Sequence, residues 1–336
     1  MKNIALVAFG LLLGLILAVF ALEIWLRAQK AGELEPVFHQ GLNNVPVNRC
    51  RPSANIMLGW ENDPNYYDGN SAGYKINKLG FADKEYDLIK ASGTYRIVVL
   101  GDSITEQGWY VKQLEELLNL RNDGLKYEVF NCGVGGYSVT QYYYYLRDTA
   151  LSFDPDMVIL GFCLNDFTDM PVVSRDRDGK YLAFRNPLSG YADNEPVVAI
   201  NKTLFFNSYL YRYAVLFLKE HFSNRNSAND PYNMALSAET LNKIRGLTEP
   251  NNIKLAAAII PYLVERYDEP KAGEYSRMKA ILFQSGLPFI DLHGIFPDIE
   301  SPKWRANPGD HIHPSEEGHG IMARKIYEFL VNGGHL

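Results

Sequence analysis

The sequence predicts an α/β domain built on a parallel sheet and preceded by a membrane-spanning helix. Three observations carry this: short apolar runs recur from Tyr95 onward, helical stretches separate them, and a long charge-free stretch stands near the amino terminus.

Ile4–Leu22 is nineteen residues without a charge. At ~1.5 Å per residue this run approaches the ~30 Å of a bilayer hydrocarbon core. A cleaved signal peptide is the competing reading, but the run is long for an h-region and "AVFALEIWLRAQ" offers no clean small-x-small cleavage site. An uncleaved anchor over residues 1–30 is therefore expected. Charge does not orient it, because Lys2 and the amino terminus on one side face Arg27 and Lys30 on the other. Residues 31–94 are rich in Asn, Pro, Gly and Tyr without sustained periodicity, and read as a stalk and wrapping segment.

The regular pattern covers 95–336. "YRIVVL", "KYEVFN", "DMVILGF", "KLAAAIIP" and "PFIDL" are runs of the kind that fills a parallel sheet buried on both faces. Between them "WYVKQLEELLNL" aligns Val111, Leu114, Leu117 and Leu118 on one stripe, "SVTQYYYYLRDTAL" follows the second strand, and "EYSRMKAILFQS" precedes the fifth. An insertion at about 167–239 breaks the alternation. Within it "DRDGKYLAF" has a turn between strand-like flanks. "LFFNSYLYRYAVLFLKEHF" reads as one helix, a buried cap rather than a second span, since Arg212, Lys219, Glu220 and His221 interrupt it.

Composition narrows the function classes. At 47% hydrophobic and 21% charged the chain is globular, and a net charge of −6 without a long Lys/Arg cluster disfavours nucleic acid. Cys50, Cys132 and Cys163 lack CxxC spacing, so no zinc site or disulfide framework is expected, and no metal or other cofactor is implied. "GDSITEQG" lacks the Walker lysine, and "CGVGGYS" is too short for a dinucleotide fingerprint.

In an open α/β sheet, ligands bind at the carboxyl ends of the strands. There the sequence places Gly101-Asp102-Ser103, then Asn131 to Gly136, then Gly161 to Asp166, with Asp310 and His313 ahead of the last helix. Each block has a bland reading. Ser103 could cap a helix, the glycines could make a turn, Asn165 and Asp166 could cap the next segment, and Asp310 and His313 could be a surface turn. Together they supply the parts of an acyl-transfer site.

The four blocks resemble the SGNH (GDSL-type) hydrolase superfamily over about Tyr95 to Leu330: serine in Gly-Asp-Ser, a glycine after the second strand, asparagine in a G-x-N-D block, and histidine in D-x-x-H-P. The resemblance implies a flavodoxin-like three-layer α/β/α sandwich with a five-stranded parallel sheet in order 2-1-3-4-5. It also implies that Ser103 is the nucleophile, His313 the general base and Asp310 the carboxylate that orients it. The backbone N–H groups of Ser103 and Gly136 and the Asn165 amide would form the oxyanion hole. "GFCLND" departs from G-x-N-D at Gly161. Three glycines compete in the second block, and alignment on Asn131 favours Gly136, with Gly133 as the turn glycine.

No GxSxG elbow is present, so Ser103 is expected to use the positive end of a helix starting near Thr105. His293, His311 and His319 read as turn or packing residues, Tyr142–Tyr145 as surface or interface aromatics, and Cys132 and Cys163 as small hydrophobes. "KINKLGFADKEY" is similar to a stretch in membrane-anchored, exported bacterial members. That likeness puts the domain outside the cytoplasm, periplasmic or extracellular, with acylated envelope carbohydrates or lipids as substrates. The expected activity is ester hydrolysis. An O-acyltransferase using the same triad and a non-catalytic envelope binding protein are the alternatives.

Overall fold

The computed structural model describes residues 2–29, 50–65, 69–167, 172–175, 181–184, 195–222, 231–269 and 271–336. Helix α1 (Lys2–Ala28) stands first, and a short antiparallel hairpin, β1 (Cys50–Pro52) and β2 (Trp60–Asn62), follows. The α/β unit runs β3 (Thr94–Gly101), α2 (Ser103–Glu106), α3 (Trp109–Asn119), β4 (Lys126–Gly133), α4 (Val139–Asp148) and β5 (Met157–Phe162). Strands β6 (Val172–Arg175) and β7 (Tyr181–Phe184) pair antiparallel. Helices α5 (Glu195–Asn207), α6 (Tyr209–Phe222) and α7 (Pro231–Thr248) lead to β8 (Lys254–Ile259), α8 (Lys271–Ser285), β9 (Phe289–Asp291) and α9 (Glu316–Asn332).

Five strands form one parallel sheet in the order β4-β3-β5-β8-β9. Alternation along β3 feeds two cores. Val98 and Leu100 enter one with Tyr142 and Leu146 of α4, Leu241 of α7 and Met278 of α8; Ile97 and Val99 enter the other with Val111 and Leu114 of α3 and Met322 and Ile326 of α9. Helices therefore cover both faces, which is why these strands read as continuous apolar runs.

The exposed edge of β4 is closed by side chains rather than by another strand. Asn119 exchanges hydrogen bonds with the Tyr127 backbone, Glu115 accepts from the Val129 N–H at 2.8 Å, and Asp83 accepts from the Asn131 N–H at 2.9 Å. Tyr86 donates to the Val129 carbonyl at 2.8 Å. Every second residue of the edge is thus satisfied, which blocks pairing with a foreign strand. Asp83 and Tyr86 come from the wrapping segment, whose Phe81 is fully buried against Phe130 and Phe153. Within "KINKLGFADKEY", the Asn77 amide donates to the Lys84 carbonyl and its oxygen accepts from the N–H groups of Leu79 and Phe81.

Two expectations are corrected. Tyr142, Tyr144 and Tyr145 are buried, because α4 is covered on a second side by α7 and by the β1–β2 segment. The single helix read over 204–222 is two helices broken at Ser208, and α6 is no buried cap, since Tyr213, Phe217 and Leu218 are exposed. The break is capped locally and from a distance: Ser208 Oγ accepts from the Tyr211 N–H at 3.1 Å, and the Glu23 carboxylate of α1 accepts from the N–H groups of Tyr209 and Leu210 at 2.9 and 2.8 Å.

Candidate active site

The four sequence blocks meet at the carboxyl edge of the sheet. Gly101 ends β3, and its register partners on either side are Gly133 of β4 and Gly161 of β5. A Cβ on Gly101 would stand 1.8 Å from Thr105 Oγ1, and one on Gly133 would stand 2.4 Å from the Glu106 nitrogen. Removing side chains from three neighbouring strand ends is what lets helix α2 sit across them. Gly133 is therefore a close-approach glycine at a strand end rather than a turn glycine. Gly136 occupies the turn, with φ +79°.

Asp102, not Ser103, caps α2: its Oδ1 accepts from the Ile104 N–H at 3.0 Å. Ser103 is the first helical residue, so the helix starts two residues earlier than the sequence suggested and lasts one turn. A single turn sums few peptide dipoles, which leaves the helix dipole a small part of any activation of Ser103.

Ser103 Oγ lies 2.8 Å from His313 Nε2, and His313 Nδ1 lies 2.9 Å from Asp310 Oδ2. A carboxylate only accepts, so Nδ1 carries the proton and the Nε2 lone pair faces the serine hydroxyl. Asp310 Oδ1 takes the backbone N–H groups of Ile312 and His313, each at 2.9 Å. Burial works to raise the Asp310 pKa, but these two N–H donors and the imidazole outweigh it and hold the carboxyl below its ordinary value. The side chains of His313 and Asp310 are 31% and 26% exposed, so the dyad lies open to solvent at a shallow site.

The loop carrying the dyad is fixed on both sides. Leu263, past the end of β8, donates its N–H to the His311 carbonyl at 2.7 Å, and Ala306 donates to the His313 carbonyl at 2.9 Å. Ser315 then caps α9, accepting from the Gly318 N–H. A cleft of about 730 Å³ borders this loop, lined by Tyr262, Val264, Lys271, Asn307, Asp310 and His311.

Asn165 sits in a short turn after β5 and donates one amide hydrogen to Asp102 Oδ2 at 3.1 Å. Asp166 beside it accepts from the Tyr142 hydroxyl and the Cys163 N–H at 2.9 and 2.8 Å. Burial, and then the neighbouring Asp102, push the Asp166 carboxyl well above its ordinary range. Burial also raises Asp102, against the hydrogen bonds from Ile104 and Asn165.

Several residues here escaped sequence reasoning. Trp60, fully buried, donates from its indole to the Gly135 carbonyl at 3.1 Å, and Tyr137 returns a hydrogen bond to the Trp60 carbonyl at 2.7 Å. The wrapping segment thereby shapes the glycine loop, across 75 residues of chain that carry no local signal. Gln107 joins the Ser103 turn to the histidine block through His319 Nε2 at 2.9 Å. Burial drops His319 to about 3, so this ring is neutral. His293 packs on Tyr267 and Tyr275, outside the dyad. Cys50, Cys132 and Cys163 are buried free thiols, and burial raises the last two. Among the described residues no group of three His, Cys, Asp or Glu side chains is placed to hold a metal ion.

A serine, an imidazole and a carboxylate in a hydrogen-bonded row, at the carboxyl edge of a parallel sheet flanked by helices, define a serine-hydrolase type of site. The family model of GDSL-like lipases and acylhydrolases matches residues 99–321, and the chain belongs to that family. It is an SGNH-type ester hydrolase. Solved structures similar to it include an α/β hydrolase enzyme from the metagenome of Lake Arreo, with 18% identity and TM-score 0.45, covering 74% of this chain and 98% of that one. A catalytic mutant of an acetylxylan esterase from Geobacillus stearothermophilus has 18% identity and TM-score 0.45, covering 72% and 95%. A GDSL-like lipase from Bacteroides thetaiotaomicron has 15% identity and TM-score 0.38, covering 71% and 88%. No curated protein matches the chain.

Proposed function

We propose that this protein is a membrane-anchored serine esterase that removes acyl groups, acetyl among them, from a carbohydrate or lipid of the cell envelope. The observation that carries the reading is the unbroken row Ser103 Oγ, His313 Nε2, His313 Nδ1, Asp310 Oδ2, with contacts of 2.8 and 2.9 Å. In this mechanism His313 Nε2 takes the hydroxyl proton as Ser103 Oγ attacks the ester carbonyl, and Asp310 stabilises the imidazolium. The tetrahedral oxyanion is held by the N–H groups of Ser103 and Gly136 and by the side-chain amide of Asn165, which also donates to Asp102. His313 returns the proton to the departing alcohol. Water, deprotonated by the same imidazole, then cleaves the acyl-serine and releases the acid.

In the proposed layout, residues 1–30 anchor the chain, 31–94 form the stalk and wrap, and 95–336 form the hydrolase domain with its insertion at about 167–239. Support for an uncleaved anchor comes from α1 itself. Within Leu6–Ala28 an 18-residue window has a mean hydropathy of 2.6 and none of it is buried, yet the last turns of α1 cap α6 through Glu23 and bond the Asn207 carbonyl through Arg27. A segment destined for removal would have no part in capping a helix of the mature domain. The catalytic domain lies outside the cytoplasm in this reading.

A serine-directed fluorophosphonate probe tests the nucleophile. The wild type labels, and Ser103→Ala and His313→Ala do not; labelling that persists in Ser103→Ala overturns the assignment. Release of acetate from a chromogenic acetyl ester without an added acceptor is the expected activity, and release that depends on an added sugar hydroxyl points to transfer instead.

A further inference from the structure

Helices α5 and α6 form a hairpin with a small apolar interior and an apolar exterior. Phe205 and Val215 are buried between them, and Arg212 closes the end of α5 by donating to the carbonyls of Phe205 and Phe206. On the outer side of α5, Val197, Ile200 and Leu204 share one stripe and are 48%, 61% and 42% exposed. On α6, Tyr213 and Leu218 are each 47% exposed. A soluble helix ordinarily turns a stripe such as that of α5 inward, so α5 is apolar on the side that a water-facing helix would make polar, and α6 exposes apolar side chains beside it.

The hairpin is fastened to α1 at one level. Glu23 caps the start of α6, Ser208 donates its hydroxyl to the same carboxylate at 3.0 Å, Arg27 lies over the Tyr209 ring, and Leu26 is buried. The eighteen residues from Leu6 to Glu23 rise roughly 27 Å at ~1.5 Å each, close to the ~30 Å of a hydrocarbon core. Glu23 and the hairpin turn therefore fall at the boundary where the span leaves the lipid. Trp25, 57% exposed, and Tyr209 are the amphipathic aromatics that settle at that depth.

We propose that α5 and α6 lie on the bilayer surface beside α1, with the exposed apolar side chains of Val197, Ile200, Leu204, Tyr213 and Leu218 seated in the lipid interface. The occupant of this face is lipid, because the same bilayer that takes the exposed apolar surface of α1 ahead of Glu23 must begin where the hairpin is attached. The inference rests on the reading of α1 as an anchor.

The test uses the full chain in phosphatidylcholine vesicles, carrying an environment-sensitive fluorophore on a single introduced cysteine; the three natural cysteines are buried. The variants are Ile200→Cys and Leu218→Cys on the hairpin, Leu15→Cys within the span, and Phe283→Cys on α8, an exposed apolar position away from the hairpin. Each must still label with the fluorophosphonate, which certifies its fold. With brominated acyl chains, the labels at 200 and 218 are expected to lose emission as the label at 15 does, while the label at 283 keeps it. Quenching at 15 with 200 and 218 behaving like 283 overturns the proposal and leaves the anchor intact. No quenching at 15 overturns both. Shielding at 200 and 218 that grows with protein-to-lipid ratio and ignores bromine assigns the face to a second copy, and also overturns the proposal.

Discussion

The two ends of the central sheet are built on opposite principles. At the carboxyl end, Gly101, Gly133 and Gly161 stand side by side in register, and the space their missing side chains leave is filled by Thr105 and the turn that presents Ser103. At the amino end the strands are saturated with charge. Arg96, 1% exposed, bonds Glu128 at 2.9 Å and the carbonyls of Asp87, Leu88 and Phe153. Asp156 accepts from the Arg96 N–H and from Lys90, both at 2.7 Å. The same strands thus keep one end open for chemistry and use the other to hold the wrapping segment. A change at the first end should cost activity, and a change at the second should cost stability.

Breaking the carboxyl end at its centre gives the largest effect. Ser103→Ala should lower kcat by roughly 10⁴–10⁶-fold while moving stability by less than about 1 kcal/mol. Steady-state hydrolysis paired with urea unfolding checks it, and a large stability loss would mean that Ser103 holds the fold instead. Arg96→Ala is the mirror experiment. Removing one partner of a buried ion pair should destabilise by about 3–5 kcal/mol, with kcat of the folded fraction near wild type, read by chemical denaturation and active-site titration.

A subtler test displaces Ser103 without touching it. Gly133→Ala drives a methyl group into the Glu106 nitrogen, which must shift α2. A displacement of about 1 Å should lower kcat roughly 10²-fold, and unchanged kcat would show that the strand end can yield without moving Ser103.

The most gradual effect lies on the edge strand between the two ends. Burial lifts Asp83 to about 6 against the N–H groups of Asn131 and Lys84 and the Tyr86 hydroxyl. A carboxyl raised on folding stabilises below its unfolded pKa, and that contribution is lost as pH rises through the folded value. The wild type should therefore lose stability relative to Asp83→Asn between about pH 4 and pH 7, by up to about 3 kcal/mol. Urea midpoints for both proteins at several pH values measure this, and a constant difference would place the Asp83 pKa outside that window.

Much of this was legible from one dimension. The five sheet strands fall where the apolar runs predicted them, because burial on both faces demands continuous hydrophobic residues, and α3 buries Val111, Leu114 and Leu118 as its stripe required. Failures came where the partner is remote. Ser208 offers the local half of the α6 cap, but the other half is Glu23, 186 residues from Tyr209, which no local pattern signals. Arg96 looked like an ordinary strand residue, since its acceptors come from three separate segments.

The sequence by itself determined the strand-helix alternation, the apolar helix at the start, and the residue types that follow each strand, because those depend on local periodicity and local chemistry. Only the tertiary structure decided that Asp102 rather than Ser103 caps α2, that Trp60 props the glycine loop, and that Ser103 meets His313 across 210 residues. The physical reason is range: a period is written along the chain, whereas a hydrogen bond forms only where the folded chain places both partners.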